Sequence, residues 1–380
     1  MTTPTSEYVP GLEGVSAAQT RLSRVNGLAG ELTIGGFELE TIAQRADFEE
    51  MVYALWLDHL PGEKELSAFK AELAELRALP EATLQLLGEV TPQKPDMMDA
   101  LRIAIGTLGL QAPSEDADEW LAKRLVAVTP TIAAAAWRLS QGQEPLPPDP
   151  NLGHAANYLY MLEGQAPSAA RARGLETYLN TVIDHGLNAS TFTARVIVST
   201  ASDFVSAIVG AVGALKGPLH GGAPGPALDM VFEIGEASKA EAYLRAKLDA
   251  GERLMGFGHR VYKVRDPRAE VLSQAAEALY QADGDMQLYE LVQAVEATAV
   301  ELLEEYKPGR NLYTNVEFYT ALLLHGLDLP IPLFSPTFAI GRVAGWLAHC
   351  MEQRAAGRLI RPKAEYIGER HRPWVPIGER

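Results

Sequence analysis

The chain has 380 residues, of which 47% are hydrophobic, and its net charge is −16 at pH 7. A protein that binds nucleic acid or an anionic membrane needs clustered positive charge on its surface, so the net negative charge argues against both as partners. The length exceeds one ordinary core and predicts two domains of a soluble globular protein. The single Cys350 excludes an intrachain disulfide and a cysteine-based metal cluster, and it suits the cytoplasm.

No segment at the start of the chain or within it has the pattern of a signal peptide or a membrane span. The first residues lack both a basic region and an apolar core. The longest apolar run, from 204 to 215, is far shorter than the roughly 20 residues that a span needs. We therefore expect a cytoplasmic protein.

Apolar residues recur at three- and four-residue spacing along most of the chain, which predicts an all-α fold. In chain order, a short hairpin is expected over 30–37, and the proline-rich segment 143–150 is expected to be a surface loop. The clearest helix covers 286–306 and is stopped by the sequence Lys-Pro-Gly that follows. The other predicted helices cover about 41–59, 64–78, 97–111, 118–140, 168–184, 190–214, 239–250, 267–282 and 337–356.

Two breaks in the helical pattern predict the domain organisation. Lys216-Gly217-Pro218 must end one long helix, and the segment 326–336 contains three prolines. The breaks enclose residues 219–326, which we expect to form a small helical domain. It would be inserted into a larger, discontinuous domain of residues 1–218 and 327–380.

Two histidines and one carboxylate stand on short loops between the predicted helices. His220 lies between Gly217-Pro218 and Gly221-Gly222, His259 follows Gly256-Phe257-Gly258, and Glu317 follows Asn315-Val316. Two imidazoles and an acid are what proton transfer next to a carbonyl group needs. A histidine that merely closes a turn is the alternative for His220, and its flanking glycines favour a ligand site instead.

The surroundings of each histidine suggest a separate task. We expect His220 to lie at the N-terminus of a helix, where the helix dipole disfavours the imidazolium. A neutral imidazole there can donate a hydrogen bond to a carbonyl that becomes an enolate. His259 precedes several cations and Asp266-Pro267, which can cap and start a helix. These cations suit a ligand that carries carboxylate or phosphate groups, although a solvated basic helix start is the alternative.

Several segments resemble the citrate synthase family, and together they cover nearly the whole chain. They are LKGPLHGGA, MGFGHRVYKVRDPRA, TNVEFYTALL and FAIGRVAGWLAHCMEQ followed by RLIRP, together with GLEGV, HAANYLYML and DHGLNASTF. They occur in the order and spacing of the family. The resemblance implies a large and a small helical domain with the active site in the cleft between them. It also implies the short, dimeric form of the family.

The resemblance implies a specific acyl transfer, the citrate-forming step of the tricarboxylic acid cycle. A carboxylate removes a methyl proton from acetyl-CoA, and a neutral histidine stabilises the enol. The enol attacks the ketone of oxaloacetate, and citryl-CoA is hydrolysed to citrate and CoA. One alternative is 2-methylcitrate synthase, which uses propionyl-CoA, and another is a homologue that binds ligands without turnover. The acyl-CoA is a co-substrate, no tightly bound cofactor is implied, and no metal is expected because no ligand cluster accompanies the histidines.

Matched residue by residue, the family assigns roles to positions of this chain. His220 resembles the histidine that stabilises the enol, His259 the one that polarises the ketone, and Glu317 stands where the family has its base. Arg361 matches an arginine that is contributed across the interface of a homodimer. The other matches to oxaloacetate-binding positions are His185, Arg268, Arg342 and, more weakly, Asn188. The matches to CoA-binding positions are Leu254, Met255, Gly256, Phe257, Gly258, Lys263, Lys307 and Arg310.

Two residues depart from the family pattern. Pro224 replaces a common asparagine, and Glu317 replaces the usual aspartate, which moves the carboxylate one methylene away from the backbone. A misplacement of about 1 Å can cost about 100-fold in rate. The site is either re-tuned around glutamate or drifting from the ancestral activity. We favour re-tuning, because a decaying enzyme would lose its costly buried charges. Three other histidines are expected to be structural: His154, His325 and His349. The Phe338–Trp346 stripe is expected to pack in the core.

Overall fold

The computed structural model describes residues 8–111, 117–221, 225–259 and 261–380, so Pro224 and Arg260 lie outside the described residues. Helices dominate the described chain, and the predicted all-α class is confirmed. None of these helices has both the length and the apolar composition needed to cross a membrane. The α-helices are α1 (Leu39–Ile42), α2 (Phe48–Leu57), α3 (Glu63–Glu75), α4 (Glu81–Val90), α5 (Met97–Thr107), α6 (Ala117–Ser140), α7 (His154–Glu163), α8 (Ala169–Val182), α9 (Ala189–Val198), α10 (Phe204–Leu215), α11 (Gly225–Ile234), α12 (Ala240–Asp249), α13 (Pro267–Asp283), α14 (Met286–Tyr306), α15 (Val316–Gly326) and α16 (Phe334–Ala356).

A small antiparallel sheet precedes the helices. Its strands are β1 (Ser23–Asn26), β2 (Glu31–Ile34) and β3 (Phe37–Glu38), in the order β1-β2-β3. The two glycines between β2 and β3 have φ of 56° and 85°, a conformation that suits a two-residue hairpin turn. The hairpin predicted within 30–37 is therefore confirmed, whereas β1 was not predicted.

The central element of the structure is α16, which is buried along most of its length. Its Gly345 lies directly against the chain that leaves α8, and a Cβ atom there would be 2.1 Å from the carbonyl oxygen of Ile183. Only glycine permits such an approach between two backbones. As a result, α16 holds the segment between α8 and α9, which contains two of the predicted site residues, His185 and Asn188.

A second group of helices lies within 225–326, the segment that was predicted to be a separate domain. In it α13 packs against α15, α11 packs against α15, and α12 packs against α14. Helix α13 also packs against α8, so the two groups share a contact surface. The division into two domains stays a prediction.

Two segments that were each predicted to form one helix are divided into two helices, so these two predictions are wrong. The helix expected over 190–214 is divided into α9 and α10, because Ala201 has a left-handed φ of 65° and Asp203 caps α10 by accepting from the Ser206 amide at 2.8 Å. The helix expected over 41–59 is divided into α1 and α2, and the Phe48 amide that begins α2 donates to Glu176 of α8 at 3.1 Å. This second break depends on a tertiary contact. The surface loop over 143–150 is confirmed, and four helices were not predicted: α4, α7, α11 and α15.

Candidate active site

One cavity of about 800 Å³ collects the predicted site residues from distant parts of the chain. Its walls come from the segment between α8 and α9, from α16, from the loop that follows α10, and from the starts of α13 and α15. Seven of the residues singled out from the sequence line it: His185, Asn188, His220, His259, Arg268, Glu317 and Arg342.

His259 and Glu317 are brought together by pairing of the two loops that precede them. Phe257 and Thr314 form an antiparallel bridge. On either side of it, the Gly258 amide donates to the Tyr313 carbonyl at 2.7 Å, and the Asn315 amide donates to the Gly256 carbonyl at 2.9 Å. Gly256 and Gly258 both have positive φ, which explains why glycines stand before this histidine.

His220 lies in the turn after α10, and its ring faces the N-terminus of α9. Its Nε2 is 2.7 Å from the Ser190 hydroxyl oxygen and accepts from the Ser190 amide at 3.3 Å. Since an amide can only donate, a neutral His220 carries its proton on Nδ1. Burial, and after it the charge of Arg342, lowers the pKa of His220. The helix N-terminus that His220 faces is therefore that of α9. The helix that follows His220 in the chain is described from Gly225 onward.

Ser190 and Trp346 extend this arrangement and were not predicted as site residues. The indole Nε1 of the buried Trp346 donates to the Ser190 hydroxyl at 3.1 Å. The same hydroxyl lies 2.8 Å from Oδ1 of Asn188, which caps α9 by accepting from the Thr191 amide at 3.1 Å. Trp346 thus packs, as expected, and also orients a contact of His220. The signal for Ser190 was its place two residues after a capping asparagine.

His259 is held as a neutral donor. Its Nδ1 accepts from the amides of Val261 and Tyr262, each at 3.0 Å, so its proton is on Nε2. Burial, followed by the charge of Arg268, lowers the pKa of His259 to about 4. Nε2 lies 3.4 Å from a guanidinium nitrogen of Arg268. Two donors side by side suit an oxygen atom of a bound ligand.

Two buried guanidinium groups face the cavity. Asp266 caps α13 and accepts from Nε and Nη2 of Arg268 at 3.0 and 2.7 Å. Arg342 donates from Nε to the Val182 carbonyl at 2.5 Å and lies 4.6 Å from the centre of the Phe338 ring. Among the described residues Arg342 makes no ion pair, and burial lowers its pKa to about 10. A buried cation with no carboxylate in direct contact among the described residues is costly even with the charge of Asp184 nearby, which favours an anionic ligand here.

His185 joins the two groups of helices at the cavity. Its Nε2 is 3.1 Å from the hydroxyl of Tyr262, a residue that sequence reasoning missed. Burial is the largest cause that lowers the pKa of His185 well below its usual value, and Arg268 and Arg342 add to it. The ring is therefore neutral and has one nitrogen that can donate and one that can accept a hydrogen bond.

Glu317 is the acid of the cavity. Its backbone amide donates to the side chain of Asn315 at 2.9 Å, which places it in the first turn of α15. Among the described residues its carboxylate makes no hydrogen bond and no ion pair. Burial raises the pKa of Glu317, and the charge of Arg268 opposes the rise. A half-buried carboxylate with a raised pKa and no partner is suited to accept a proton.

The remaining predicted residues do not line this cavity. Arg361 is exposed on the segment that follows α16. In the loop before His259, Leu254 is buried, Met255 is 40% exposed, and Phe257 packs on Phe318 with ring centres 5.1 Å apart. Lys263 and Arg310 are exposed and Lys307 is half-buried. The binding roles assigned to these residues stay predictions.

The three histidines that were expected to be structural do not line this cavity. His154 and His349 are buried, and His325 is exposed at the end of α15 beside Phe232. No group of three or more histidine, cysteine, aspartate or glutamate side chains in the described parts of the chain could hold a metal ion. The groups that line the cavity include imidazole, carboxylate and guanidinium side chains.

Comparisons with known proteins agree on one family. The family model described as "Citrate synthase, C-terminal domain" matches residues 11–363. Citrate synthase of Haloferax volcanii is 41% identical, over 98% of this chain and 99% of that one, and 2-methylcitrate synthase of Shewanella oneidensis is 37% identical, over 97% of each chain. Citrate synthase of Thermoplasma acidophilum, solved as a ternary complex with carboxymethyl coenzyme A and oxaloacetate, superposes with a TM-score of 0.89 at 31% identity, covering 99% of this chain and 100% of that one.

Proposed function

The chain belongs to the citrate synthase family, and from this premise we propose that it condenses acetyl-CoA with oxaloacetate and hydrolyses citryl-CoA to citrate and CoA. The observation that carries the proposal is the cavity. It contains three neutral imidazoles, one carboxylate with a raised pKa and two buried guanidinium groups. These are the groups that enolisation of a thioester beside a bound dianion requires.

Oxaloacetate would be held by the cationic part of the cavity. Arg342 and Arg268 would bind its two carboxylates, with His185 and Asn188 completing the contacts and the partner subunit's Arg361 closing the site. The ketone oxygen would then accept from Nε2 of His259, because Nδ1 of that ring is already occupied by two backbone amides. A hydrogen bond to this oxygen makes the ketone carbon more electrophilic.

The condensation would use the other two groups. Glu317 takes a proton from the methyl carbon of acetyl-CoA, and Nδ1 of His220 donates a hydrogen bond to the thioester oxygen as it becomes an enolate. The enolate carbon attacks the ketone carbon, and the new alkoxide takes the proton from Nε2 of His259. The proton that Glu317 holds then passes through solvent to His259, which restores the carboxylate and the neutral ring. Water cleaves the thioester of citryl-CoA, its oxygen entering the citrate carboxylate and one of its protons going to the CoA thiolate that leaves. A base and a hydrogen-bond donor thus act together in the proton abstraction.

The rest of the architecture is proposed from the same premise. Residues 254–258 and Lys263 would receive CoA, and Lys307 and Arg310 would meet its phosphates. Residues 219–326 would move as a small domain against residues 1–218 and 327–380, and closure would exclude water from the thioester. A homodimer is required for activity in this scheme, because Arg361 has to come from the second subunit.

Propionyl-CoA is the second candidate substrate, which would make the chain a 2-methylcitrate synthase. Support comes from the 37% identity to the Shewanella oneidensis 2-methylcitrate synthase. The cavity walls also include Leu187, Leu219 and Val261, which are apolar and more than a third exposed. One methylene in an apolar pocket changes binding by only about 1–3 kcal/mol, so the preference has to be measured.

The test is release of the CoA thiol from the purified protein with oxaloacetate and either acetyl-CoA or propionyl-CoA. We expect thiol release with acetyl-CoA, and the ratio of kcat/KM for the two thioesters identifies the acyl preference. Omission of oxaloacetate is the control, since premature hydrolysis would appear there. If a folded dimer binds oxaloacetate but releases no thiol from either thioester, the chain is a binding protein and the proposal is wrong.

A further inference from the structure

One face of α16 contacts the chain from residue 182 to residue 195 at every turn. Arg342 donates to the Val182 carbonyl, Gly345 lies against Ile183, and Trp346 donates to Ser190. Further along the same face stand His349 and Gln353, with spacings of three and four residues that put them on one side of the helix. Of these residues, His349 is the buried titratable group that the proposed reaction does not use.

The ring of His349 is oriented with its N–H toward Asp184. Its Nδ1 lies 2.9 Å from Nη1 of Arg195, and a guanidinium can only donate. The proton of the neutral ring is therefore on Nε2, which is 3.2 Å from Oδ1 of Asp184, close enough for an electrostatic contact although the two are not aligned as a hydrogen bond. Both side chains are fully buried.

Arg195 is itself held from the C-terminal end of α16. Its Nη1 donates to Glu352 at 2.6 Å and its Nε donates to Gln353 at 3.1 Å. The amide of the Gln353 side chain donates in turn to the Arg358 carbonyl at 2.8 Å. This chain of contacts prevents Arg195 from turning away, so the tautomer of His349 is determined by its surroundings.

Asp184 and Gly186, the two residues beside His185, are both held by the hydroxyl of Ser23. Oδ2 of Asp184 accepts from the hydroxyl of Ser23 in β1, and the same hydroxyl oxygen accepts from the Gly186 amide at 2.8 Å. Burial raises the pKa of Asp184, but His349 and Arg342 outweigh that effect and the pKa is lowered. The buried carboxylate therefore stays ionised and needs the donors around it.

We propose that His349 is a positioning residue for oxaloacetate: together with Arg195 and Asp184 it holds the loop that presents His185 to the cavity. The inference rests on the proposed function, since it concerns the affinity for that substrate. His349 touches no reacting atom. Loss of its ring would leave the Asp184 carboxylate buried beside an empty space, and the loop would shift to find another donor.

The test compares three variants by steady-state kinetics with each substrate varied in turn. For His349→Ala we expect the KM for oxaloacetate to rise by about 10- to 100-fold, because a displacement of about 1 Å in a positioning group has effects of this size. The KM for acetyl-CoA is expected to stay close to that of the parent chain. His349→Gln is expected to restore most of the oxaloacetate affinity, since its amide offers an oxygen to Arg195 and an N–H to Asp184.

The matched control is His154→Ala. His154 is as buried as His349, but neither of its ring nitrogens has a hydrogen-bond partner among the described residues, and it does not line the cavity. Its replacement is expected to lower the temperature of unfolding without changing the KM for oxaloacetate. An equally selective rise in that KM for His154→Ala would show that general loosening is the cause, and the inference would be overturned.

Ser23→Ala keeps the inference testable if His349→Ala does not fold. It removes the hydroxyl that donates to Asp184 and accepts from the Gly186 amide, and we expect a smaller rise in the same KM. Parent values of the KM for oxaloacetate in both His349→Ala and Ser23→Ala, or a failure of His349→Gln to rescue, would contradict the positioning role alone. A parent chain that neither binds oxaloacetate nor releases thiol would contradict the proposed function and this inference together.

Discussion

The polar groups of the cavity are held in two different ways. His185, His220, His259 and Arg342 each have at least one polar atom within hydrogen-bond distance of a neighbour. The Glu317 carboxylate, by contrast, has no hydrogen bond or ion pair among the described residues, and only its backbone is fixed, by Asn315. The difference shows where the site tolerates change: a longer acid at position 317 displaces no partner among the described residues, whereas a substitution of one of the other four groups leaves buried groups unsatisfied.

Glu317→Gln is the largest test of this comparison. We expect kcat to fall by about 10²- to 10⁴-fold, the usual contribution of a positioned base, because the amide cannot accept the methyl proton. The size of the side chain is kept and its carboxylate loses no partner among the described residues, so oxaloacetate binding should survive. Thiol release and calorimetric titration with oxaloacetate measure the two quantities. Condensation at nearly the parent rate would rule out Glu317 as the base.

His220→Ala tests one of the cavity residues whose side chains are held by hydrogen bonds. We expect kcat to fall by about 10²- to 10³-fold, the cost of removing one donor to a developing oxyanion. The informative measurement is exchange of the acetyl-CoA methyl protons with deuterated solvent in the presence of oxaloacetate or an unreactive analogue. His325→Ala, an exposed histidine on α15, serves as the control and should exchange at the parent rate. Undiminished exchange in His220→Ala would contradict the role in enolisation.

Sequence patterns succeeded where a structural feature depends on neighbours along the chain. The helix over 286–306 and its Lys-Pro-Gly stop are confirmed, because apolar spacing and a helix-ending tripeptide are local signals. The break between α9 and α10 was missed because a single left-handed alanine, Ala201, has no compositional signature. The same distinction applies to the cavity.

The glycine loops and basic segments identified the residues of the cavity, but not the residues that support them. His220, His259 and Glu317 lie in motifs with their own local signature, and all three line the cavity. Trp346 was expected only to pack, and the contacts of Tyr262 and His349 were not expected at all. Each of these contacts depends on which helix or loop packs across from it, and that is decided by the tertiary fold.

Glu317→Asp asks whether the site is tuned to its longer acid. The carboxylate would withdraw by one methylene while the Asn315 cap keeps the backbone in place. We expect kcat to fall by about 10- to 100-fold, with the KM for oxaloacetate unchanged, because about 1 Å of misplacement in the reacting group has this effect. A higher kcat than the parent would show that the cavity is still shaped for aspartate.

The pH dependence of kcat/KM distinguishes Glu317 from His259, because the two groups have different pKa values. The base acts when it is deprotonated, so the rate should fall about tenfold per pH unit once the pH drops below the pKa of Glu317. Burial raises that pKa above its ordinary value of 4.5, whereas His259 becomes protonated only near its pKa of about 4. We therefore expect one acid limb, with an apparent pKa above 4.5. A profile that stays level below that pH would mean that the carboxylate is not the group that titrates.

Trp346→Phe is the smallest change and the finest test of how firmly His220 is held. It keeps the buried ring on α16 but removes the N–H that donates to the Ser190 hydroxyl at 3.1 Å. The hydroxyl then loses a constraint on its direction, and we expect kcat to fall by about 3- to 10-fold, as for one hydrogen bond worth about 1 kcal/mol. Trp56→Phe is the matched control, because its indole also donates to α16, at 3.0 Å to the Ala344 carbonyl, but lies outside this cavity. Equal losses of kcat in the two variants would mean that α16 acts on the site only through the stability of the helix. A loss confined to Trp346→Phe would show that the contact between Trp346 and Ser190 helps to position His220.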